Sequence, residues 1–96
     1  DSIQRIKFTL ASYNAGLYHV QDAQRLAEYL NLNPNLWDNN VENAILKLSK
    51  PDFYTKDFIK YGFVRGRQPY LYVRDIFERY EHYKAFILED AEQEMD

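Results

Sequence analysis

The apolar residues of this 96-residue chain recur every three or four positions, the spacing that places side chains on one face of an α-helix. The first series, which consists of Ile3, Ile6, Leu10 and Tyr13, predicts a largely buried helix over residues 2–15. Ser2 is its expected N-cap, and Gly16 supplies the positive φ of a helix C-cap. A second helix is predicted over residues 20–30. Its apolar face is Ala23, Leu26, Ala27 and Leu30, and its mostly outward residues are Gln21, Asp22, Gln24, Arg25 and Glu28.

Two more helices are predicted in the second half of the chain. One carries the i, i+3, i+4, i+7 stripe of Val41, Ala44, Ile45 and Leu48, and Asp38 or Asn39 can cap it. Residues 52–68 lack sustained periodicity, which predicts a long ordered loop with one short helical turn. Pro69 suits the first turn of a final helix. The common face of that helix is Tyr72, Ile76, Tyr80, Tyr83 and Ile87.

These elements predict one all-α domain, a small bundle of about four helices. It is expected to occupy residues 1–88, with an acidic tail over residues 89–96 that frays. The hydrophobic content of 46% is typical of a globular chain, although a chain of 96 residues buries only a small core.

The charge and composition exclude several classes of function. A net charge of −3 gives no broad basic field, so nucleic acid is not an expected partner despite the local cluster of Lys60, Arg65 and Arg67. No apolar run approaches the ~20 residues that cross a bilayer, so no transmembrane segment is expected. The chain has no cysteine, which excludes disulfides and thiolate catalysis.

The aromatic residues and the histidines offer little chemistry by themselves. Nine tyrosines provide flat faces with polar rims, which suit sugar rings but also pack in helical cores. His19 and His82 lack metal-ligand spacing, so we expect no metal and no cofactor. Glu28 and Glu42 lie on solvated helix faces and are not expected to act as catalytic acids. Trp37 is expected to be a hydrophobic staple, with glycan stacking as the less favoured alternative.

Two motifs carry a more specific signal. Residues 11–16 read Ala-Ser-Tyr-Asn-Ala-Gly, which resembles the Ala-x-Tyr-Asn-Ala-Gly motif of lysozyme-like lytic transglycosylases (SLT domains), the enzymes that cleave peptidoglycan glycan strands. Residues 61–66 read Tyr-Gly-Phe-Val-Arg-Gly and precede a Tyr-Val helix. This order is similar to the membrane-bound F type, with Phe63 in place of a second tyrosine. The resemblance spans residues 3–83.

The resemblance implies a fragment of an enzyme. The family's catalytic acid is a glutamate in a Glu-Ser motif that is followed by a Gly-x-Met-Gln motif. Neither motif occurs here, and the one methionine is Met95. The expectation is therefore the C-terminal part of a transglycosylase domain, inactive without its missing N-terminal part. In the family this glutamate protonates the glycosidic oxygen between N-acetylmuramic acid and N-acetylglucosamine. It then deprotonates the C6 hydroxyl, which gives a 1,6-anhydro product without a second carboxylate or a cofactor.

The resemblance also implies a set of substrate-binding residues and a location. Tyr13 and Asn14 would orient the N-acetyl group and the reacting ring; the alternatives are a buried ring and a simple helix cap. Tyr72 would approach the glutamate, or else belong to the core stripe. Tyr61, Phe63 and Arg65 would form a wall of the groove, or else only anchor the loop. The partner would be a peptidoglycan glycan strand in the bacterial cell envelope, at a periplasmic or outer-membrane-associated site.

Two other functions remain open from the sequence. One is a non-catalytic glycan-binding module that keeps the aromatic and Tyr-Asn wall but has no acid. The other is a helical protein-interaction domain whose tyrosine-rich last helix docks a partner.

Overall fold

All regular elements in the part of the chain that the structure describes are helical. A computed structural model describes residues 1–94. The helices in this range are α1 (Ser2–Ala15), α2 (Leu17–Tyr29), α3 (Glu42–Lys47), α4 (Pro51–Tyr54) and α5 (Arg67–Glu94). A wide turn over Trp37–Val41, with non-helical backbone at Asp38 and Asn39, leads into α3. The prediction of a small all-α bundle is confirmed, and α4 is the short helical turn predicted inside the long loop.

Helix α1 has the predicted bounds, but a different residue caps its N-terminus. The carboxylate of Asp1 accepts a hydrogen bond from the backbone N–H of Gln4 at 3.0 Å. The prediction of Ser2 as the cap was wrong because Ser2 already lies inside the helix. An acidic N-cap also interacts favourably with the positive end of the helix dipole.

The buried face of α1 also differs from the predicted stripe. Ala11 is fully buried, whereas Ile3 and Ile6 are exposed and Tyr13 is 83% exposed. Helix α1 packs against both α2 and α5, and the face that these helices cover is centred on the small side chain of Ala11. Of the larger apolar residues of α1, Phe8 and Leu10 are partly buried against the core, whereas Ile3, Ile6 and Tyr13 are not.

A single residue connects α1 to α2. Gly16 adopts φ 98° and donates its backbone N–H to the carbonyl of Ser12 at 2.8 Å, and Leu17 begins α2 immediately afterwards. Helix α2 therefore starts three residues earlier than predicted, because a glycine at positive φ can redirect the chain without a loop. At the other end of α2, Asn31 adopts φ 62°, a left-handed conformation typical of helix ends.

The core lies among α1, α2, α3 and the start of α5. The predicted stripe of α3 is confirmed, since all four of its residues are fully buried. Trp37 is 1% exposed and its ring makes an edge-on contact with Phe8 at a centroid distance of 5.7 Å. It is a core residue and presents no free face to a sugar. The buried apolar residues are Ala11, Val20, Ala23, Leu26, Ala27, Trp37, Val41, Ala44, Ile45, Leu48, Ile59, Val64 and Val73.

Asp38 joins the turn to α1 and does not cap α3. Its carboxylate accepts hydrogen bonds from the Lys7 ammonium at 2.7 and 2.9 Å and from the Gln4 amide at 3.0 Å. Burial raises the pKa of Asp38, but the hydrogen bonds from Lys7 and Gln4 outweigh this and hold the pKa below its ordinary value. Asn39 does not cap α3 with its side chain either. Its backbone N–H donates to the Glu42 carboxylate.

Helix α5 is the longest element. It begins at Arg67, two residues before Pro69, and its 28 residues span about 42 Å. The first half packs against α1 and α3, whereas the second half leaves its apolar residues exposed. These are Tyr80, Tyr83, Phe86, Ile87 and Leu88. Residues 89–94 of the predicted tail are helical, residues 95 and 96 lie outside the described range, and the domain boundary at residue 88 stays a prediction. Within the described residues, no helix is long and apolar enough to cross a membrane.

Candidate functional site

A buried carboxylate on α2 fixes the start of a loop over residues 60–66, which lies within the predicted stretch 52–68 and precedes α5. Asp22 is fully buried, so the prediction that it faces outward was wrong. Its Oδ1 accepts the backbone N–H of Lys60 at 2.9 Å, and its Oδ2 accepts the backbone N–H of Tyr61 at 2.7 Å. The guanidinium of Arg25 donates to Oδ1 at 2.6 Å and balances the charge. Both carboxylate oxygens are therefore occupied, as a buried charge requires.

The end of the same loop is fixed against α3. The backbone N–H of Val64 donates to the carbonyl of Leu48 at 3.1 Å, and the Val64 side chain is buried in the core. Gly66 packs backbone to backbone against Ile45 and Leu46, so closely that a Cβ at position 66 would collide with the Ile45 carbonyl. Between the two anchors, Gly62 adopts φ 77° and turns the chain. The loop is thus ordered at both ends, as the sequence predicted for residues 52–68.

The two sequence motifs meet at one concave site of about 220 Å³. Asn14 reaches it from the end of α1, while Phe63 and Arg65 reach it from the loop. The full lining is Asn14, Ala15, His19, Phe63, Val64, Arg65, Gln68 and Pro69. These residues offer amide, imidazole and guanidinium groups beside an aromatic ring, but no carboxylate. The site can therefore recognise a polar ligand with apolar faces, and its lining holds no carboxylic acid for protonating a leaving group.

Tyr13 and Tyr72 do not line this site, but they form an aromatic pair with each other. The two rings are nearly parallel, with an interplanar angle of 22° and a centroid distance of 6.5 Å. Tyr13 is almost fully exposed at the end of α1, whereas Tyr72 is partly buried against the core. The structure therefore brings together two of the predicted tyrosines from helices α1 and α5.

Tyr61 lies outside the lining of the concave site. Its ring stacks on Tyr18, at the start of α2, with a centroid distance of 4.8 Å and an interplanar angle of 17°. Phe63 makes an edge-on contact with Tyr54 of α4 at 5.8 Å. Both loop aromatics thus have intramolecular partners, yet both remain about half exposed. They anchor the loop and still present surface to solvent.

Sequence reasoning missed several residues around the site. His19 and Gln68 line it, and the His19 Nδ1 is buried with no hydrogen-bond partner among the described residues. Neither residue belongs to a recognisable motif, so no local signal marks them. Asp22 is one of the five polar residues that were predicted to face outward from the second helix, and only its three-dimensional position distinguishes it. Tyr18 follows the Ala-Gly of the first motif by two positions, which was the one signal available.

Comparisons with known proteins place this chain beside one group of enzymes. No protein-family profile matches it. Proteins named membrane-bound lytic murein transglycosylase F, from Shewanella baltica (strain OS155), Shewanella oneidensis and Shewanella halifaxensis, are each 42% identical to it over 78 residues. The match covers 81% of this chain but 16% of each relative, so the chain spans only a small part of the length of these curated relatives.

Proposed function

We propose that this chain forms one wall of a cleft for peptidoglycan. The premise is that the chain belongs with the C-terminal part of lytic transglycosylases and is similar to the membrane-bound F type. The observation that carries the proposal is the meeting of the two motifs. Asn14 and Arg65 lie far apart in the sequence, yet they line the same concave site. Sites that combine an apolar surface with a few convergent polar groups are typical of ligand recognition.

Each residue of this wall has a chemical role in holding a glycan strand. The Asn14 amide can donate to and accept from an N-acetyl group. The exposed face of Phe63 suits the apolar face of a sugar ring. The Arg65 guanidinium can pair with the lactyl or stem-peptide carboxylate of a muramic acid residue. The pair of Tyr13 and Tyr72 extends the wall beside Asn14, and Tyr61 adds a further aromatic surface on the loop.

We propose that the catalytic acid comes from a segment outside these 96 residues. The lining of the concave site holds no carboxylate. This supports a site in which this chain binds the strand and another segment supplies the acid. The acid would protonate the glycosidic oxygen and then, as a carboxylate, take the proton of the C6 hydroxyl. The 1,6-anhydro ring would form without water as the acceptor. This chain would position the strand and would not cleave it alone.

The names of the relatives support a location in the bacterial cell envelope. A periplasmic or outer-membrane-associated site is the finer proposal. The partners would be a peptidoglycan glycan strand and the N-terminal part of the same domain.

Cosedimentation with insoluble peptidoglycan tests the proposal on the chain as it stands. We expect the chain to sediment with the polymer, to be released by a chitin tetrasaccharide, and to produce no 1,6-anhydro fragments. Arg65→Gln should weaken retention, whereas Arg79→Gln, the same change at an exposed position on α5, should not. A chain that stays in solution, or that binds equally well with Gln at position 65, contradicts the proposal.

The alternative of a non-catalytic glycan-binding module makes a different prediction. In that case the chain would bind, but addition of the preceding segment of its parent protein would yield no cleavage. The transglycosylase proposal predicts 1,6-anhydro products from the joined domain.

A further inference from the structure

We infer that Asp22 is a positioning residue for the glycan site, an inference that rests on the proposed function. Its carboxylate receives two consecutive backbone N–H groups, those of Lys60 and Tyr61, at 2.9 and 2.7 Å. These are the residues from which the loop departs toward Phe63 and Arg65. A side chain of α2 therefore sets where the loop begins, although it does not line the site itself.

Packing alone does not explain why a carboxylate occupies the buried position of Asp22. The residue is fully buried on a helix whose other buried positions are Val20, Ala23, Leu26 and Ala27. An apolar side chain would fill this position, but it would leave the two N–H groups without acceptors. Arg25 supplies the positive charge that a buried carboxylate needs. The carboxylate thus has a specific task, which is to hold two backbone donors at once.

The loop is held at a second point close to Asp22, so the position of the Asp22 hydrogen bonds determines the path of the loop. Only Gly62 and Phe63 lie between Tyr61 and Val64, whose N–H is held by the carbonyl of Leu48. With both ends fixed, this short segment has few conformations available, so the direction of Phe63 follows from the two anchors. Arg65 comes directly after the second anchor, so its position depends on the same loop path. Release of the Asp22 anchor should free the loop while the buried side chains of the core stay packed.

Asp22→Asn is the discriminating substitution. Asparagine has nearly the same shape, but it offers one acceptor oxygen in place of two and turns its NH₂ group toward an N–H donor. Asp57→Asn is the matched control, because Asp57 is exposed and precedes the same loop. The probes are amide hydrogen exchange and the affinity for a chitin tetrasaccharide.

In the Asp22→Asn variant, the amide of Lys60 or Tyr61 should exchange at least about tenfold faster, since one charge-assisted hydrogen bond is lost. The Ile45 amide in α3 should keep its protection, and the affinity for the tetrasaccharide should fall at least about fivefold because the site is no longer preorganised. Asp57→Asn should change neither. Unchanged affinity in the Asp22 variant would overturn the inference.

The wild-type chain provides a second measurement in case the variant does not fold. Scalar couplings across the hydrogen bonds should connect the Lys60 and Tyr61 amide nitrogens to the side-chain carboxyl carbon of Asp22. Their absence would overturn the inference. If the wild-type chain shows both couplings but does not bind the sugar, the proposed function is contradicted. The positioning role is then overturned as well, because the hydrogen bonds of Asp22 would only stabilise the fold. Sugar binding that survives Asp22→Asn overturns the positioning role alone.

Discussion

The backbone of Gly66 lies directly against the backbone of Ile45, where the loop returns to the core before α5. A Cβ at position 66 would collide with the Ile45 carbonyl and would lie 2.8 Å from the Cα of Leu46. The loop that carries Phe63 and Arg65 is therefore held by a close approach of two backbones, which only glycine permits.

Gly66→Ala should destabilise the chain by about 2–3 kcal/mol, because the fully buried Ile45 side chain keeps the backbone of α3 from moving away from the added methyl group. Gly62→Ala is the comparison. Gly62 has φ 77°, but a Cβ at this position would meet no other described atom within 4 Å, so only local backbone strain of about 1 kcal/mol is expected. Urea unfolding of both variants measures the difference. A Gly66 variant as stable as the Gly62 variant would show that the two backbones are not in tight contact.

Asn14→Ala should leave the fold nearly intact while it weakens the recognition of glycans. Asn14 is exposed and makes no side-chain hydrogen bond within the described residues, so we expect a stability change within about 0.5 kcal/mol. Affinity for a chitin tetrasaccharide should fall about five- to tenfold if the amide holds an N-acetyl group. Asn35→Ala, at an exposed turn outside the site, is the control. In the joined domain, Asn14→Ala should lower turnover more than binding, and unchanged turnover would refute the assigned role.

Ile45→Ala should destabilise the chain by about 2–5 kcal/mol, since the side chain is fully buried and its removal leaves a cavity. Ile6→Ala makes the same chemical change on α1 at a position that is half exposed, and should cost less than about 1 kcal/mol. Chemical denaturation of the two variants compares them directly. Equal effects would mean that the core is not centred on α3.

The ion pair between Lys7 and Asp38 should make stability depend on pH. The folded state holds the pKa of Asp38 below its ordinary value of 3.8. The stabilisation is therefore complete well above pH 4 and is lost as the pH falls through the lowered pKa of the folded state. Because the Asp38 side chain is 47% exposed, we expect only about 0.5–1 kcal/mol.

Thermal unfolding of Asp38→Asn at pH 7 and pH 3 checks this expectation. The variant should be less stable than the wild type at pH 7, and the difference in the free energy of unfolding should be smaller at pH 3. Asp75→Asn, at an exposed position on α5, should show no such difference. If the stability difference between the wild type and Asp38→Asn were larger at pH 3 than at pH 7, the direction of the pKa change would be wrong.

Helix positions could be predicted from the sequence where burial follows apolar periodicity. The stripe of α3 was correct because neighbouring elements surround this short helix. The stripe of α1 was correct for Leu10 but wrong for Ile3, Ile6 and Tyr13. The contact face is centred on the small residue Ala11, which a pattern of large apolar residues does not reveal. The start of α2 was missed because Gly16 alone makes the connection.

The role of Asp22 in fixing the loop could not have been predicted from the sequence. Asp22 looks like any polar residue of an amphipathic helix, and its partners are backbone N–H groups 38 and 39 positions further along the chain. Because nearly every residue has a backbone N–H, the sequence does not indicate which of these groups a buried carboxylate will bind. The motifs at residues 11–16 and 61–66, by contrast, predicted the family resemblance that the 42% identity confirms. The roles of the predicted site residues stay predictions.

The most direct test of the proposed glycan wall is an amide NMR titration of the wild-type chain with a chitin tetrasaccharide. We expect chemical-shift changes to cluster at Asn14, Phe63 and Arg65, with smaller changes at Tyr13 and Tyr72, while the amide shifts of α3 and of the exposed half of α5 stay unchanged. A well-dispersed spectrum that does not respond to the sugar, or shifts confined to α5, would contradict the claim that these two motifs form a wall of a glycan cleft.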